Sequence, residues 1–123
     1  MKLTVHDVLA RYNSEELPEF FGLVIDSIEC VGNSGDRPIH VAVIRGQFDE
    51  LVALVESGAD LNAPGEFGNR ALHHAASRNN LEMIEYLLKK GADVSLSNEW
   101  KQTPLDVARL EGQGDAVRLL QRA

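Results

Sequence analysis

The sequence predicts an all-α fold built from short helix-turn-helix units repeated along the chain. A recurring tripeptide, a fixed spacing between apolar positions, and turn-forming residues placed where each helix must end carry this prediction. Gly58-Ala59-Asp60 returns as Gly91-Ala92-Asp93, an offset of 33 residues. The same offset pairs Gly35 with Gly68, Ile39 with Leu72 and Leu105, and Ala42 with Ala75 and Ala108. Agreement at several positions and one spacing marks a repeating supersecondary unit.

Each element of the unit follows from its residues. Pro38 and Pro104 suit the first turn of a first helix, where the missing N–H would be unpaired anyway. Gly46, Asn79 and Gly112 stand where the chain must leave that helix through a left-handed residue. In the second helix, Leu81, Ile84, Leu87 and Leu88 form an apolar stripe with Glu82, Glu85 and Lys89 turned outward. Gly58 and Gly91 end the second helices. The turn-formers of "LNAPGEFGN" and "VSLSNEWKQ" then read as projecting, hairpin-like fingers.

Moved back by one period, the frame predicts a degenerate copy over residues 2–34. Val5, Val8 and Leu9 belong to its first helix, Ser14 N-caps a second, Pro18 lies near that helix's start, and Ile28 takes the place of Leu61 and Val94. At the far end, Arg109 and the polar Gln121-Arg122 suit an exposed terminal cap.

Laid over one another, "RPIHVAVIRGQFDELVALVESGAD", "RALHHAASRNNLEMIEYLLKKGAD" and "TPLDVARLEGQGDAVRLLQRA" resemble the ankyrin repeat, whose first helix opens with T-P-L-H-x-A. The resemblance covers Gly35 to Ala123 directly and departs from the pattern at Arg37, at Arg70-Ala71 and at Asp106. It implies one ankyrin repeat solenoid of stacked helix-turn-helix units over 1–123: an N-terminal capping repeat (1–34), repeats at 35–67 and 68–100, and a C-terminal capping repeat (101–123). It also implies structural roles for His40 and His73, bonded across neighbouring finger turns. Ankyrin proteins are typically protein-binding scaffolds. Their variable contact sites fall here on the finger residues Asn33, Ser34, Asp36, Glu66, Phe67, Asn69, Glu99, Trp100 and Gln102. The first-helix counterparts are Ile44, Arg45, Ser77, Arg78, Leu110 and Glu111.

Composition narrows the function classes. A chain of 123 residues suits one domain, and a formal charge of −7 argues against general binding of nucleic acid or anionic membrane and for a basic protein surface. The charge is uneven, with twelve acidic and four basic residues up to Glu66 against seven and eight from Phe67 onward. Cys30 has no disulfide partner in the chain, which suits a reducing compartment. "MKLTVHDVLARY" lacks a signal-like apolar stretch and "FFGLVI" is too short to span a bilayer, so a cytoplasmic location is expected.

The adjacent His73 and His74 raise the question of metal or proton-relay chemistry. His74 stands where Val41 and Val107 stand in the other repeats, facing either a neighbouring helix or solvent, with no Cys, Asp or Glu at ligand spacing beside it. There is no phosphate-cradling Gly-Lys-Ser pattern, nucleophile elbow or paired-cysteine zinc spacing. Glu15, Glu16 and Glu19 near Asp26 and Glu29 read as a solvated face beside an acidic finger, and Cys30 as a half-buried finger residue. No catalytic residue, metal ligand or cofactor site is assigned.

Recognition by shape remains, by a chain expected to be monomeric when free. Phe67 fits an interface anchor and packing on neighbouring fingers equally; Trp100 fits the anchor better, since the last finger has fewer neighbours. A small acidic stand-alone stack also resembles bacterial immunity proteins, which neutralise a partner toxin. The alternative is an adaptor or chaperone-like scaffold that joins proteins without inhibiting them.

Overall fold

A computed structural model describes residues 2–123. The described residues form helices and turns without strands, arranged in two compact units that divide between Asp60 and Leu61. The fold is all-α, as the repeat pattern predicts.

The first unit contains α1 (Val5–Ser14), α2 (Pro38–Ile44) and α3 (Phe48–Glu56), with α1 and α2 both packed on α3. Its core joins Val8 and Tyr12 of α1 to Ile39, Val41 and Val43 of α2 and Leu51 and Leu54 of α3. The expected second helix of the N-terminal copy does not form. Ser14 is the last residue of α1 rather than an N-cap, because Thr4 has already started that helix ten residues earlier. Beyond it Glu16 takes a left-handed φ of 48° and reverses the chain. Pro18 begins only a 3-10 turn, Pro18–Phe20, preceded by an extended Leu17, the conformation that proline imposes on the residue before it. The Asn13 side chain then holds the chain on its return. It accepts the Ile25 N–H at 2.8 Å and donates to the Ile25 carbonyl at 2.9 Å.

The second unit contains α4 (Ala71–Ser77), α5 (Leu81–Lys89), α6 (Pro104–Leu110) and α7 (Gly114–Gln121). α4 packs on α5 and α6, and α7 on α5 and α6. On the packed first helices α4 and α6 the buried residues include Ala75, Ala76 and Ala108, small enough for close approach, and on the packed second helices α5 and α7 they include Ile84, Leu87 and Leu120. Of the predicted stripe, Ile84 and Leu87 are buried and Leu81 and Leu88 half-buried, with Met83 completing the buried face.

The 33-residue frame is visible in the backbone of both units. Gly46, Asn79 and Gly112 all adopt left-handed φ, of 69°, 53° and 70°. The next residue's N–H closes on the same carbonyl of each first helix: Gln47 on Ala42, Asn80 on Ala75 and Gln113 on Ala108. The fingers close alike, with Gly32 N–H on the Asp36 carbonyl (2.7 Å), Gly65 on Asn69 (2.8 Å) and Asn98 on Gln102 (2.9 Å).

First-helix starts share one position but not one chemistry. In α2 and α4 the Nδ1 of His40 and of His73 accepts the N–H of Arg37 and of Arg70, at 2.9 Å each. In α1 and α6 a threonine and an aspartate replace them reciprocally. Thr4 bonds Asp7 and Thr103 bonds Asp106, each through a hydroxyl accepting an N–H and a carboxylate accepting one in return. Asp106, a departure from T-P-L-H, therefore keeps the cap, and Asp7 extends the frame to the chain's first helix.

Candidate protein-binding site

The second unit carries a groove of about 180 Å³ lined by Asn69, His73, His74, Ser77, Asn98, Trp100, Gln102, Val107 and Glu111. Five of these, Asn69, Ser77, Trp100, Gln102 and Glu111, are contact positions expected from the sequence. The short first helix α4 contributes His73, His74 and, at its end, Ser77, α6 contributes Val107 with Glu111 at its end, and the fingers at 61–69 and 94–102 supply Asn69, Asn98, Trp100 and Gln102.

The groove is built on Asn98, only 7% exposed. Its Oδ1 accepts the N–H groups of Trp100 and Gln102, and its Nδ2 donates to Asn69 Oδ1 and Gln102 Oε1, all at 3.0 Å. One buried amide thus fixes the finger bearing the tryptophan and joins it to the finger before it. His73 ties the same finger to α4. Its Nδ1 accepts an N–H, so Nε2 carries the proton and donates to the Gln102 carbonyl at 2.8 Å. Burial pushes the His73 pKa below its ordinary value, with the nearby Arg70 acting in the same direction and the Gln102 bond against it. Arg70 completes the lock by donating to the carbonyls of Asn62, Gly68 and Ser97.

Phe67 and Trp100 stand at the finger tips with ring centroids 5.0 Å apart and planes tilted by 45°. Phe67 is held left-handed, at φ 56°, and its carbonyl accepts the Glu99 N–H at 2.9 Å. Gly68 follows with φ 73°, and a Cβ there would come within 3.1 Å of the Glu99 nitrogen, so the close approach of the two fingers requires glycine. The rings pack on each other, yet Phe67 remains 50% and Trp100 58% exposed. Phe67 therefore packs on the neighbouring finger while about half of its surface stays exposed.

The remaining sequence candidates fall elsewhere. Arg78, Glu99 and Leu110 are exposed in the second unit without lining the groove, and Glu66 is half-buried. In the first unit Asn33 and Ser34 are exposed and Ile44 is half-buried, but Asp36 is only 2% exposed and is removed from the surface set. Arg45 is committed inside its own unit. It pairs with Glu15 at 2.6 Å and with Glu50 at 3.3 Å, and lies over the Tyr12 ring. His74, facing neighbour or solvent on sequence grounds, lines the groove half-buried.

Sequence reasoning missed Asn98 and Glu50. The first occupies the frame position of Gly32 and Gly65, where a polar side chain replacing glycine was the available signal. Glu50 is fully buried, with Oε1 accepting the Tyr12 hydroxyl at 2.7 Å and Oε2 accepting Arg11 at 2.8 Å. Burial and this carboxylate push the Tyr12 pKa far up. Burial, helped by Asp26, also pushes the Cys30 thiol up, away from a reactive thiolate. Among the described residues no three His, Cys, Asp or Glu side chains gather as metal ligands, and no helix is long and apolar enough to cross a membrane.

Compared with known proteins, the chain matches no curated protein. Residues 39–123 match the family model for ankyrin repeats, in three copies. Together with the repeated helix-turn-helix frame, this match establishes that the chain belongs to the ankyrin repeat family, whose repeats are protein–protein interaction modules.

Proposed function

We propose that this chain binds a partner protein through the groove and finger tips of residues 61–123, and that it masks a basic surface of that partner as an immunity protein does. In this reading the chain acts as a cytoplasmic monomer, without catalysis, cofactor, nucleic acid or membrane. The observation that carries it is the Phe67–Trp100 pair: two touching rings, each half exposed, of which Trp100 also lines a groove rich in hydrogen-bonding side chains. Large aromatic rings on a rigid support and next to polar groups are the usual anchors of protein interfaces. The formal charge of −7, concentrated before Glu66, supports a basic partner through electrostatic steering.

The test is to capture the partner with the tagged chain, then measure the association rate against ionic strength and the partner's own activity in the complex. The rate should fall as salt rises, because exposed charges are screened beyond about 8 Å at physiological ionic strength. Reversing Glu16 and Glu19 to lysine should reproduce the effect without breaking the Glu15–Arg45 pair. Loss of the partner's activity at one equivalent of chain supports masking; full activity in the complex leaves the adaptor or chaperone-like reading. An association rate indifferent to salt and to both reversals would remove the basic partner.

A further inference from the structure

We infer that the segment following α1 forms a second docking site, which takes a partner peptide carrying bulky apolar side chains flanked by lysine or arginine. The later copies have a second helix in this part of the frame; here the chain folds around a cleft of about 570 Å³ lined chiefly by Tyr12, Leu17, Phe20, Phe21, Leu23 and Val24. Tyr12 and Phe20 are buried, whereas Phe21 is 73% and Val24 78% exposed. Contiguous apolar side chains left in water mark an interaction surface more often than a folding requirement.

The cleft is held in shape before anything binds. Asn13 brackets the backbone of Ile25, Asn33 Nδ2 donates to the Phe21 carbonyl at 2.9 Å, and the Tyr12 hydroxyl is fixed on Glu50. These polar groups are spent on the segment itself, so the surface offered to a ligand is apolar with carboxylates around it. From Tyr12 to Asp36 there are six acidic residues and no lysine, arginine or histidine. Glu15 and Glu29 are paired with Arg45 and Arg37, whereas Glu16 is exposed and lines the cleft. The charge selects a basic occupant. A second copy, with a formal charge of −7 and the same acidic segment, is repelled from this face, as is an anionic lipid surface.

The cleft shares no lining residue with the groove at Trp100, and its test uses a defined probe. A synthetic peptide of leucine, phenylalanine and lysine is titrated into the isotope-labelled full chain, beside one analogue with glutamate for lysine and one with serine for the apolar residues. The lysine peptide should perturb the amide signals of residues 12–25 and bind at least tenfold tighter than either analogue. The double variant Phe21→Ser, Val24→Ser should lose at least tenfold in affinity at an unchanged melting temperature, since both side chains are exposed. Glu16→Lys should weaken binding at low salt. Equal binding of the glutamate analogue, perturbations confined to residues outside 12–25, or no perturbation at millimolar peptide would each overturn the proposal. So would sedimentation showing a dimer of the chain that the double variant dissociates, which would make the occupant a second copy.

Discussion

Residues 1–60 bury a carboxylate where residues 61–123 bury an amide, and the two units place their polar anchors under different elements. In the first, Glu50 of α3 gathers Tyr12 and Arg11 from α1 and Arg45 from the end of α2, so charge locks helix to helix. In the second, Asn98 and Arg70 gather backbone groups and amides of two fingers, so neutral and charge-assisted bonds lock loop to loop. The equivalent arginines make the contrast plain. Arg70 donates to three carbonyls, while Arg37 reaches Glu29 only at 3.8 Å and keeps a buried Nε without a hydrogen-bond partner. A unit whose fingers are locked can hold aromatic rings out in water at a fixed position; a unit whose helices are locked can leave its finger-side segment apolar and open.

The largest effect that sharpens this contrast is expected from the buried charge. Glu50→Ala strands two guanidinium groups and a phenol, and breaking such a buried pair costs roughly 3–5 kcal/mol. The lower end applies because the Arg11 and Arg45 side chains are 37% and 24% exposed and can rehydrate. Asn98→Ala should cost less, about 2 kcal/mol, since the amides it leaves behind are neutral and lie near solvent. Urea unfolding of both variants checks the order, and Asn98→Ala proving the more damaging would reverse the account of which unit depends on its polar anchor.

Acid should separate the helix caps by their chemistry. The His73 pKa is lowered from its ordinary 6.5, so as pH falls below that value the unfolded chain takes up a proton that the folded chain refuses, and stability declines. Protonated Nδ1 could no longer accept the Arg70 N–H. Asp7 and Asp106 are lowered from 3.8 by the threonine N–H and hydroxyl bonds; their contribution is present above that value and is lost only as pH falls toward their folded pKa. His73→Asp, which supplies the carboxylate half of the α6 cap, should therefore reduce the loss of stability between about pH 7 and pH 5 while lowering stability at pH 7 through the missing Gln102 bond. Chemical denaturation across that range decides it, and an unchanged slope would exclude His73 as the acid-sensitive cap.

A smaller and more local effect is expected where the frame demands a left-handed residue. Gly91 has φ 97° with open space where a Cβ would go, so Gly91→Ala tests backbone strain alone and should cost about 1 kcal/mol. An unchanged unfolding midpoint would contradict the helix-ending role.

The repeat frame was legible because its punctuation is local: a cap position every 33 residues, a left-handed exit, a glycine after the second helix. The finger rings were legible for the same reason, since Phe67 and Trp100 stand one period apart. What the pattern could not show depends on partners distant in sequence. Glu50 reads as one more acidic residue of an amphipathic helix until Arg11 and Tyr12, 39 and 38 residues away, close on it. The same contacts draw Arg45 inward. Ser14 has the chemistry of an N-cap, but a helix already propagating from Thr4 runs through it, and the reversal at Glu16 uses a residue that rarely adopts positive φ.

Whether the fingers are locked so that the rings can bind is decided by calorimetric titration of wild-type chain and Trp100→Ala against the captured partner, with a melting curve for each. Trp100→Ala should lose about 2 kcal/mol or more of binding free energy at a nearly unchanged melting temperature. Wild-type affinity together with a clearly lowered melting temperature would contradict it, placing the ring in the scaffold and the binding surface elsewhere.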